Sequence, residues 1–487
     1  MSVELKIRKF TPSELAEIVG GKIEMIGAGA QDLAGMVSIN SKDIGSNMIF
    51  VAIRGERFDG HEFMSEAYHN GAICIFADKI DDTFRNSGFN CTVILVDDTI
   101  KAMGKFAHYY KKLSKVKTVA VTGSVGKTTT KEFIYAVAGE KFKTRKTEGN
   151  YNNEIGLPLT LFSIEPDDEI AVVEMGMSGL GEIEYMSKIA EPDIAVITNI
   201  GTSHMEKLGS RENICRAKME IASGLSKSGV LLLNADEPLL FSKRESVKEG
   251  DEAELKFMSL YNRAGDFRAL NIRHTGSGIV YDLIYENKAV TSIEIPALGQ
   301  HNVYNSLTAY SVGVLLGMSD EQIRRGLKQF KGAEMRQRIY DLNGITIIDD
   351  SYNASPESMR AGIEVLISMA AQKNTRAAAL LGDMKELGEY SRLMHDQLGQ
   401  FAAQKKVELL FLYGLMADVI AEAAIKKGIR AENVYVNLNS KDPQTTADMI
   451  NGALKPGDIL LVKASRSVGA EKVIECMKKK KGRRPIK

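Results

Sequence analysis

Residues 118–132 read Thr-Val-Ala-Val-Thr-Gly-Ser-Val-Gly-Lys-Thr-Thr-Thr-Lys-Glu. Val119, Ala120 and Val121 form a short apolar run of the kind a buried strand needs. Gly123-Ser124-Val125-Gly126-Lys127-Thr128 then turns the chain, and Thr129 onward suits a helix. Strand, glycine turn and helix N-terminus together make a phosphate site, because free backbone N–H groups and the helix dipole face the anion. Lys127 is placed to reach the β- and γ-phosphates and the Thr128 hydroxyl to meet Mg²⁺. The loop is short: two residues separate Gly123 and Gly126, where the common P-loop has four. A ligand-free glycine turn is the plain alternative.

Composition narrows what surrounds this loop. A chain of 487 residues with 44% apolar content has material for several cores. Lys+Arg and Asp+Glu both number 63, so no global charge favours nucleic acid or an anionic membrane. Cys74, Cys91, Cys215 and Cys476 are scattered without a C-x-x-C pair, which fits a reducing compartment and neither a disulfide framework nor zinc. No apolar run approaches the ~18 residues of a membrane span, and the N-terminus lacks a signal-peptide core. The expectation is a cytoplasmic protein, with no nucleic-acid partner, no membrane insertion and nothing that demands more than a monomer.

In chain order, residues 1–98 read as a small α/β unit, with strands at 49–53, 72–76 and 92–96 and a helix at 62–69. Its charged loop Arg54–His61, with Ser41 and Lys42, is either a solvated turn or a binding loop for an anionic or sugar-like group. Residues 99–332 form the P-loop unit. A helix at 99–115 leads in. The loop Thr147–Gly156 offers Asn150, Asn152 and Asn153 as donors and acceptors. The strand 170–173 ends at Glu174, the position where P-loop enzymes hold Mg²⁺. A strand at 194–198 follows, then a helix at 211–224 carrying Lys218, a strand at 230–233, an alternating pair at 279–285 and 290–295, and helices opening at Gly299 and Ser319. Residues 333–487 read as a Rossmann-like unit, with strands at 345–348, 377–381, 409–413, 434–436 and 459–462. Asp350, Asn353 and Lys463 stand at its strand ends. The tail 478–487 is lysine-rich and reads as a solvated terminus. The fold class is therefore α/β in three domains: a small α/β domain, a central P-loop ATPase-like domain and a C-terminal Rossmann-like domain.

With the motifs on the page, the sequence resembles the Mur ligases over essentially its whole length. The resemblance rests on residues 122–129, Gly149–Gly156, Glu174-Met-Gly, Asn199-Ile-Gly with His204, and Ala217-Lys-Met-Glu220. It continues through Gly299–Asn305, Asp349–Asn353, Gly382-Asp-Met-Lys-Glu-Leu-Gly388 and Lys463-Ala-Ser-Arg466. It implies ATP as cofactor, with Lys127 as a catalytic residue and Gly123 to Thr129 around the phosphates. It implies two Mg²⁺ ions, one on Thr128 and Glu174 and one served by His204 and a carbamylated Lys218. Asn302 and Asn305 would face the adenine and ribose, Arg336 a phosphate, with Asp350 and Tyr352 reaching in from the third domain. The substrate side would involve Ser41, Lys42, His61, Asn150, Asn152, Asn153, Asn353 and Lys463, the first domain holding a UDP group.

The implied reaction is ATP-dependent addition of D-alanyl-D-alanine to UDP-N-acetylmuramoyl-tripeptide through an acyl phosphate. The alternatives are the sister ligase adding the third amino acid, folylpolyglutamate synthase, and a nucleotide-binding partner without chemistry. The sister's Asp-Asn-Pro-Arg is absent, and the synthase lacks a UDP-binding first domain. Two departures stand out: Asn40-Ser-Lys42 replaces a frequent Asp-Ser-Arg, and Glu334-Met-Arg336 replaces Pro-Gly-Arg. Lys463-Ala464 also stands for Lys-Gly.

Overall fold

The computed structural model describes residues 2–478 apart from 26, 28–30, 56, 246–252, 277 and 287. The basic tail beyond Lys478 lies outside the described residues. The first-unit strands Met48–Val51, Ala72–Ala77 and Thr92–Leu95 pair in parallel. Met36–Ser38 extends them on one side, and Ser2–Glu4 and Lys22–Met25 close the edges antiparallel.

The P-loop strand Lys117–Thr122 lies inside a nine-stranded sheet, between Ile194–Ile197 and Ile170–Glu174. All three run parallel. Val119 and Val121 enter one core and Ala120 the other, so the run is apolar on both faces, as a covered parallel strand requires. Helices Lys127–Ala138, Gln300–Leu315 and Asp320–Lys328 cover one face. Their approach is close: a Cβ on Gly326 would lie 2.4 Å from the Val137 Cα, and Phe133 stacks on Phe330 at 3.6 Å.

Helix Thr99–Lys112 ties the first two sheets together. Phe106 packs edge-on to Phe10 at 5.0 Å and against Phe162 at 4.8 Å, within one core drawn from both units. The buried Tyr110 hydroxyl accepts from the Ile7 amide at 2.8 Å. The third sheet, ordered Arg338–Leu342, Ile345–Asp349, Ile459–Lys463, Ala377–Gly382, Leu409–Tyr413 and Val434–Asn437, is parallel except for its first strand. It is reached through Met335 and Gln337, which have φ of 54° and 52°. Met335 stands where the resemblance leads one to expect glycine, and a left-handed L-residue costs about 1–2 kcal/mol.

Several expectations shift. The P-loop helix starts at Lys127 rather than Thr129, because Gly126 at φ 87° serves as its N-cap. The helix expected over 211–224 is α-helical over Arg211–Met219 and tightens to a 3₁₀ turn over Glu220–Gly224. There Glu220 accepts from the Gly181 and Glu184 amides and caps the neighbouring helix Glu182–Ala190. The alternating pair, Ile279–Tyr285 and Lys288–Ile295, is antiparallel as read from the sequence. It continues the central sheet through Glu254–Ser259 and Phe267–His274, whose charged residues hide them from an apolar-run reading.

The third unit's two cores are built almost entirely from its own residues. Residues 333–487 expressed alone are therefore expected to unfold in urea in one cooperative transition followed by circular dichroism. A gradual, non-cooperative loss of signal would contradict this.

Candidate active site

The P-loop is held open by its neighbour strand. The Asn199 side chain accepts from the Val125 amide and donates to the Val125 carbonyl, both at 3.1 Å. The Ser124 amide donates to the Asn199 carbonyl, and the Thr198 hydroxyl to the Val125 carbonyl. A Cβ on Gly123 (φ 145°) would lie 1.9 Å from the Thr198 hydroxyl oxygen, and one on Gly126 would lie 2.8 Å from the Asn305 Oδ1. Both glycines are therefore required by space as well as by φ. The Ser124 and Val125 amides are already used, which leaves the first-turn N–H groups from Gly126 to Thr129 to meet an anion.

These residues open on a cleft of about 1110 Å³ shared by the central and third units. Asn302 and Asn305 form its floor. The Asn305 amide donates to the Asn302 Oδ1 at 2.9 Å, and its Oδ1 accepts from Thr130 at 3.0 Å. Arg336 lines the cleft and lays its guanidinium 4.4 Å over the Tyr352 ring. Asp350 and Lys463 form a buried ion pair at 2.6 Å, and Lys463 also donates to the Asn353 carbonyl. Asp236, whose role the sequence does not announce, builds the rim. Its carboxylate accepts from the Leu260 and Asn262 amides and from the Tyr304 hydroxyl at 2.8 Å.

Around Lys127 the charges are arranged for anions and metal. Its ammonium donates to the Gly123 carbonyl at 2.8 Å. Burial lowers its pKa, while Glu174 and Glu386 pull it upward. Glu174 accepts from Asn152 at 2.8 Å through one oxygen. Its other oxygen is buried and, among the described residues, makes no hydrogen bond, lying 4.0 Å from the buried Lys131 ammonium. Among the described residues no three His, Cys, Asp or Glu side chains converge as a metal cage. One carboxylate beside a phosphate site is what Mg²⁺ takes, since it keeps waters and substrate phosphates as its other ligands. Lys218 is 1% exposed, with no carboxylate near it. Burial first, and the Lys127 charge second, push its pKa well below that of an ordinary lysine. His204, left-handed at φ 65°, sets its Nδ1 2.7 Å from the Glu386 carboxylate. That contact holds the Glu386 carboxyl below its usual range.

Other sequence candidates sit elsewhere. Asn153 accepts from the Gly156 amide, and the Asn150 side chain is exposed. Ser41 donates to Glu66, and Lys42 is exposed. His61 uses both ring nitrogens inside the first unit, one with Asp59 at 2.6 Å and one accepting from the Asp78 amide at 3.1 Å. It is a structural hydrogen-bonder there. Of the sequence candidates, Ser41, Lys42, His61, Gly123, Asn150, Asn152, Asn153, Glu174, His204, Lys218 and Tyr352 do not line the cleft. Sequence reasoning passed over Glu357 and Glu386, two third-unit carboxylates that meet the loop carrying His204. Only the motif Gly382–Gly388 pointed toward the second.

Comparison with known proteins agrees across the chain. The Mur ligase family, catalytic domain model matches residues 34–111, the Mur ligase middle domain 121–313, and the Mur ligase, glutamate ligase domain 335–466. A Bacillus subtilis (strain 168) protein named UDP-N-acetylmuramoyl-tripeptide–D-alanyl-D-alanine ligase is 36% identical, covering 90% of this chain and 92% of the relative. A MurF crystal structure from Acinetobacter baumannii has a TM-score of 0.85 at 29% identity, covering 97% of this chain and 99% of that one. The crystal structure of MurF ligase from Thermotoga maritima in complex with ADP has a TM-score of 0.78 at 31% identity, covering 91% and 97%.

Lys127→Ala removes a cation without opening a core. It is expected to weaken ADP binding about 10- to 100-fold, the worth of a hydrogen bond to a charged group, and to abolish ATP turnover while the thermal melt is kept. Calorimetric titration with ADP checks this, and unchanged affinity would remove Lys127 from the phosphate site.

Proposed function

The chain belongs to the Mur ligase family, and on that premise we infer that it is the ATP-dependent ligase joining D-alanyl-D-alanine to UDP-N-acetylmuramoyl-tripeptide in peptidoglycan precursor synthesis. The observation that carries this reading is the whole-chain match to a ligase of that specificity, spanning all three units. In our reading, residues 1–98 hold the UDP end, 99–332 bind ATP, and 333–487 bring the amino substrate. In this reading the enzyme is a cytoplasmic monomer that binds no nucleic acid. Among the described residues no helix is long and apolar enough to cross a membrane.

The chemistry follows from the charges. A carboxylate is a poor acyl donor because its oxygen leaves badly. The tripeptide carboxylate oxygen attacks the γ-phosphorus of ATP, the bond to the β-phosphate oxygen breaks, and ADP departs. The resulting acyl phosphate has a good leaving group. The D-alanyl-D-alanine amine, entering as the free base, attacks the carbonyl carbon; the tetrahedral intermediate gives up a proton from nitrogen to solvent and expels phosphate to leave the amide. Two anions must meet in the first step, and like unit charges 4 Å apart repel by about 4 kcal/mol at an effective dielectric of 20. Lys127 and Arg336 offset that repulsion, and the first-turn amides hold the transferring phosphoryl group. Asn302 and Asn305 fix the nucleoside side. Bound Mg²⁺ adds charge neutralisation: Thr128 and Glu174 would hold one ion, and His204 with a carbamylated Lys218 a second. The Glu174 oxygen that makes no hydrogen bond fits the first role. A neutral buried amine fits the second, since the Lys218 nitrogen adds to CO₂ and loses a proton to give an anionic oxygen ligand.

Two outcomes are expected. Phosphate release should require UDP-tripeptide and D-alanyl-D-alanine together. Release driven instead by the UDP-linked dipeptide and a single amino acid would favour the sister ligase. Lys218→Ala should lose most activity and regain part of it when formate or acetate is supplied at fixed ionic strength. Full activity without carboxylate would remove Lys218 from the site.

A further inference from the structure

The loop from Gly201 to Met205 is gripped twice by the third domain. Glu357, in the first turn of helix Pro356–Lys373, accepts from the Thr202 amide at 2.9 Å and from its hydroxyl at 3.0 Å. Its carboxylate occupies the space over Gly201, where a Cβ would come within 2.9 Å of it. The second grip is on His204, 2.7 Å from Glu386. The Glu206 amide donates to the Glu386 carbonyl at 3.2 Å, and Gly388 lies against the Glu206 backbone. Glu386 also adds to the field at Lys127.

Stability alone does not account for the second contact. The Glu386 side chain is 58% exposed, and an exposed ion pair contributes at most about 1 kcal/mol. His204 and Glu386 are both left-handed, at φ 65° and 64°, which costs about 1–2 kcal/mol for each. The pair therefore does not repay the conformations it joins, and such outliers gather where geometry serves a site. The contact also decides where the ring proton sits. A carboxylate oxygen accepts and does not donate, so in the neutral ring the single proton is on Nδ1 and the lone pair on Nε2.

We propose that Glu386 is a positioning residue whose carboxylate, delivered when the third domain docks, selects the Nδ1–H tautomer of His204 and leaves Nε2 as the ring's acceptor in the reaction centre. This rests on the ligase reading of His204. Docking of the third domain and completion of the histidine's geometry are then a single event.

The test uses the full-length protein labelled with ¹⁵N-histidine, at a pH where imidazoles are neutral. Long-range ¹H–¹⁵N correlation assigns the His204 nitrogens by comparison with His204→Gln. The wild type should show a protonated Nδ1 and a bare Nε2. Glu386→Ala, at an exposed position, should fold normally, lose that pattern, and drop in kcat about 10- to 100-fold with the KM for ATP little changed. Glu386→Gln, whose amide oxygen still accepts from Nδ1, should keep the pattern and recover most of kcat. Glu386→Ala with the wild-type tautomer, or with wild-type kcat, would overturn the proposal. If His204→Gln is itself fully active, the ligase reading of His204 fails and takes the proposal with it. If His204→Gln is inactive and Glu386→Ala is normal, only the positioning role fails.

Discussion

The two-way hydrogen bond between the Asn199 side chain and the Val125 backbone is the contact on which the site depends. A short glycine turn has no intrinsic reason to hold one shape. Here an adjacent strand end supplies the missing partner, and the close approaches of Thr198 to Gly123 and of Asn305 to Gly126 exclude a side chain at either glycine. The result is a rigid collar. It satisfies two loop amides and leaves the helix's first N–H groups for an anion. The nine-stranded sheet matters because it sets these strand ends side by side, in register from Val119–Ile194 to Thr122–Ile197.

Charge is the second constraint. A cleft meant for two anionic substrates needs cations that the protein has not already neutralised. Lys463 is spent on Asp350 at 2.6 Å, so it braces the cleft wall. Lys127 meets only a carbonyl, and Arg336 rests on the face of Tyr352, which leaves both cations available. Lys218 goes further, buried with no anion beside it. An unpaired buried ammonium is expensive, so the group is driven toward its neutral form, the form open to modification.

The joints between units differ in kind. Helix Thr99–Lys112 carries Phe106 and Tyr110 into a core shared by the first two sheets, so those units are welded by apolar burial. The third unit joins through a short segment with Met335 and Gln337 left-handed, and it meets the central unit by polar contacts such as Glu357 to Thr202 and Glu386 to His204. Polar contacts exchange with water at little net cost, whereas a shared core does not. The architecture thus puts its separable interface on the side where the nucleotide cleft opens.

What the sequence determined by itself is local. The run Val119–Val121 before Gly-Ser-Val-Gly-Lys-Thr announces a strand, a turn and a helix N-terminus, because apolar periodicity and glycine chemistry act over a few residues. The helix start at Ser319 follows for the same reason. The ordered motifs were enough to place the chain among the Mur ligases. Only the tertiary structure decided which side chains are already committed. His61 and Lys463 carry functional-looking groups in sequence and pair them with Asp59 and Asp350, while one Glu174 oxygen makes no hydrogen bond among the described residues. It also brought Glu386 to His204 across more than 180 residues of chain and drew Glu254–Ser259 and Phe267–His274 into the central sheet. Hydrogen-bond satisfaction and burial are properties of neighbours in space, and those neighbours are set by the packing of whole sheets and helices, which no short stretch encodes.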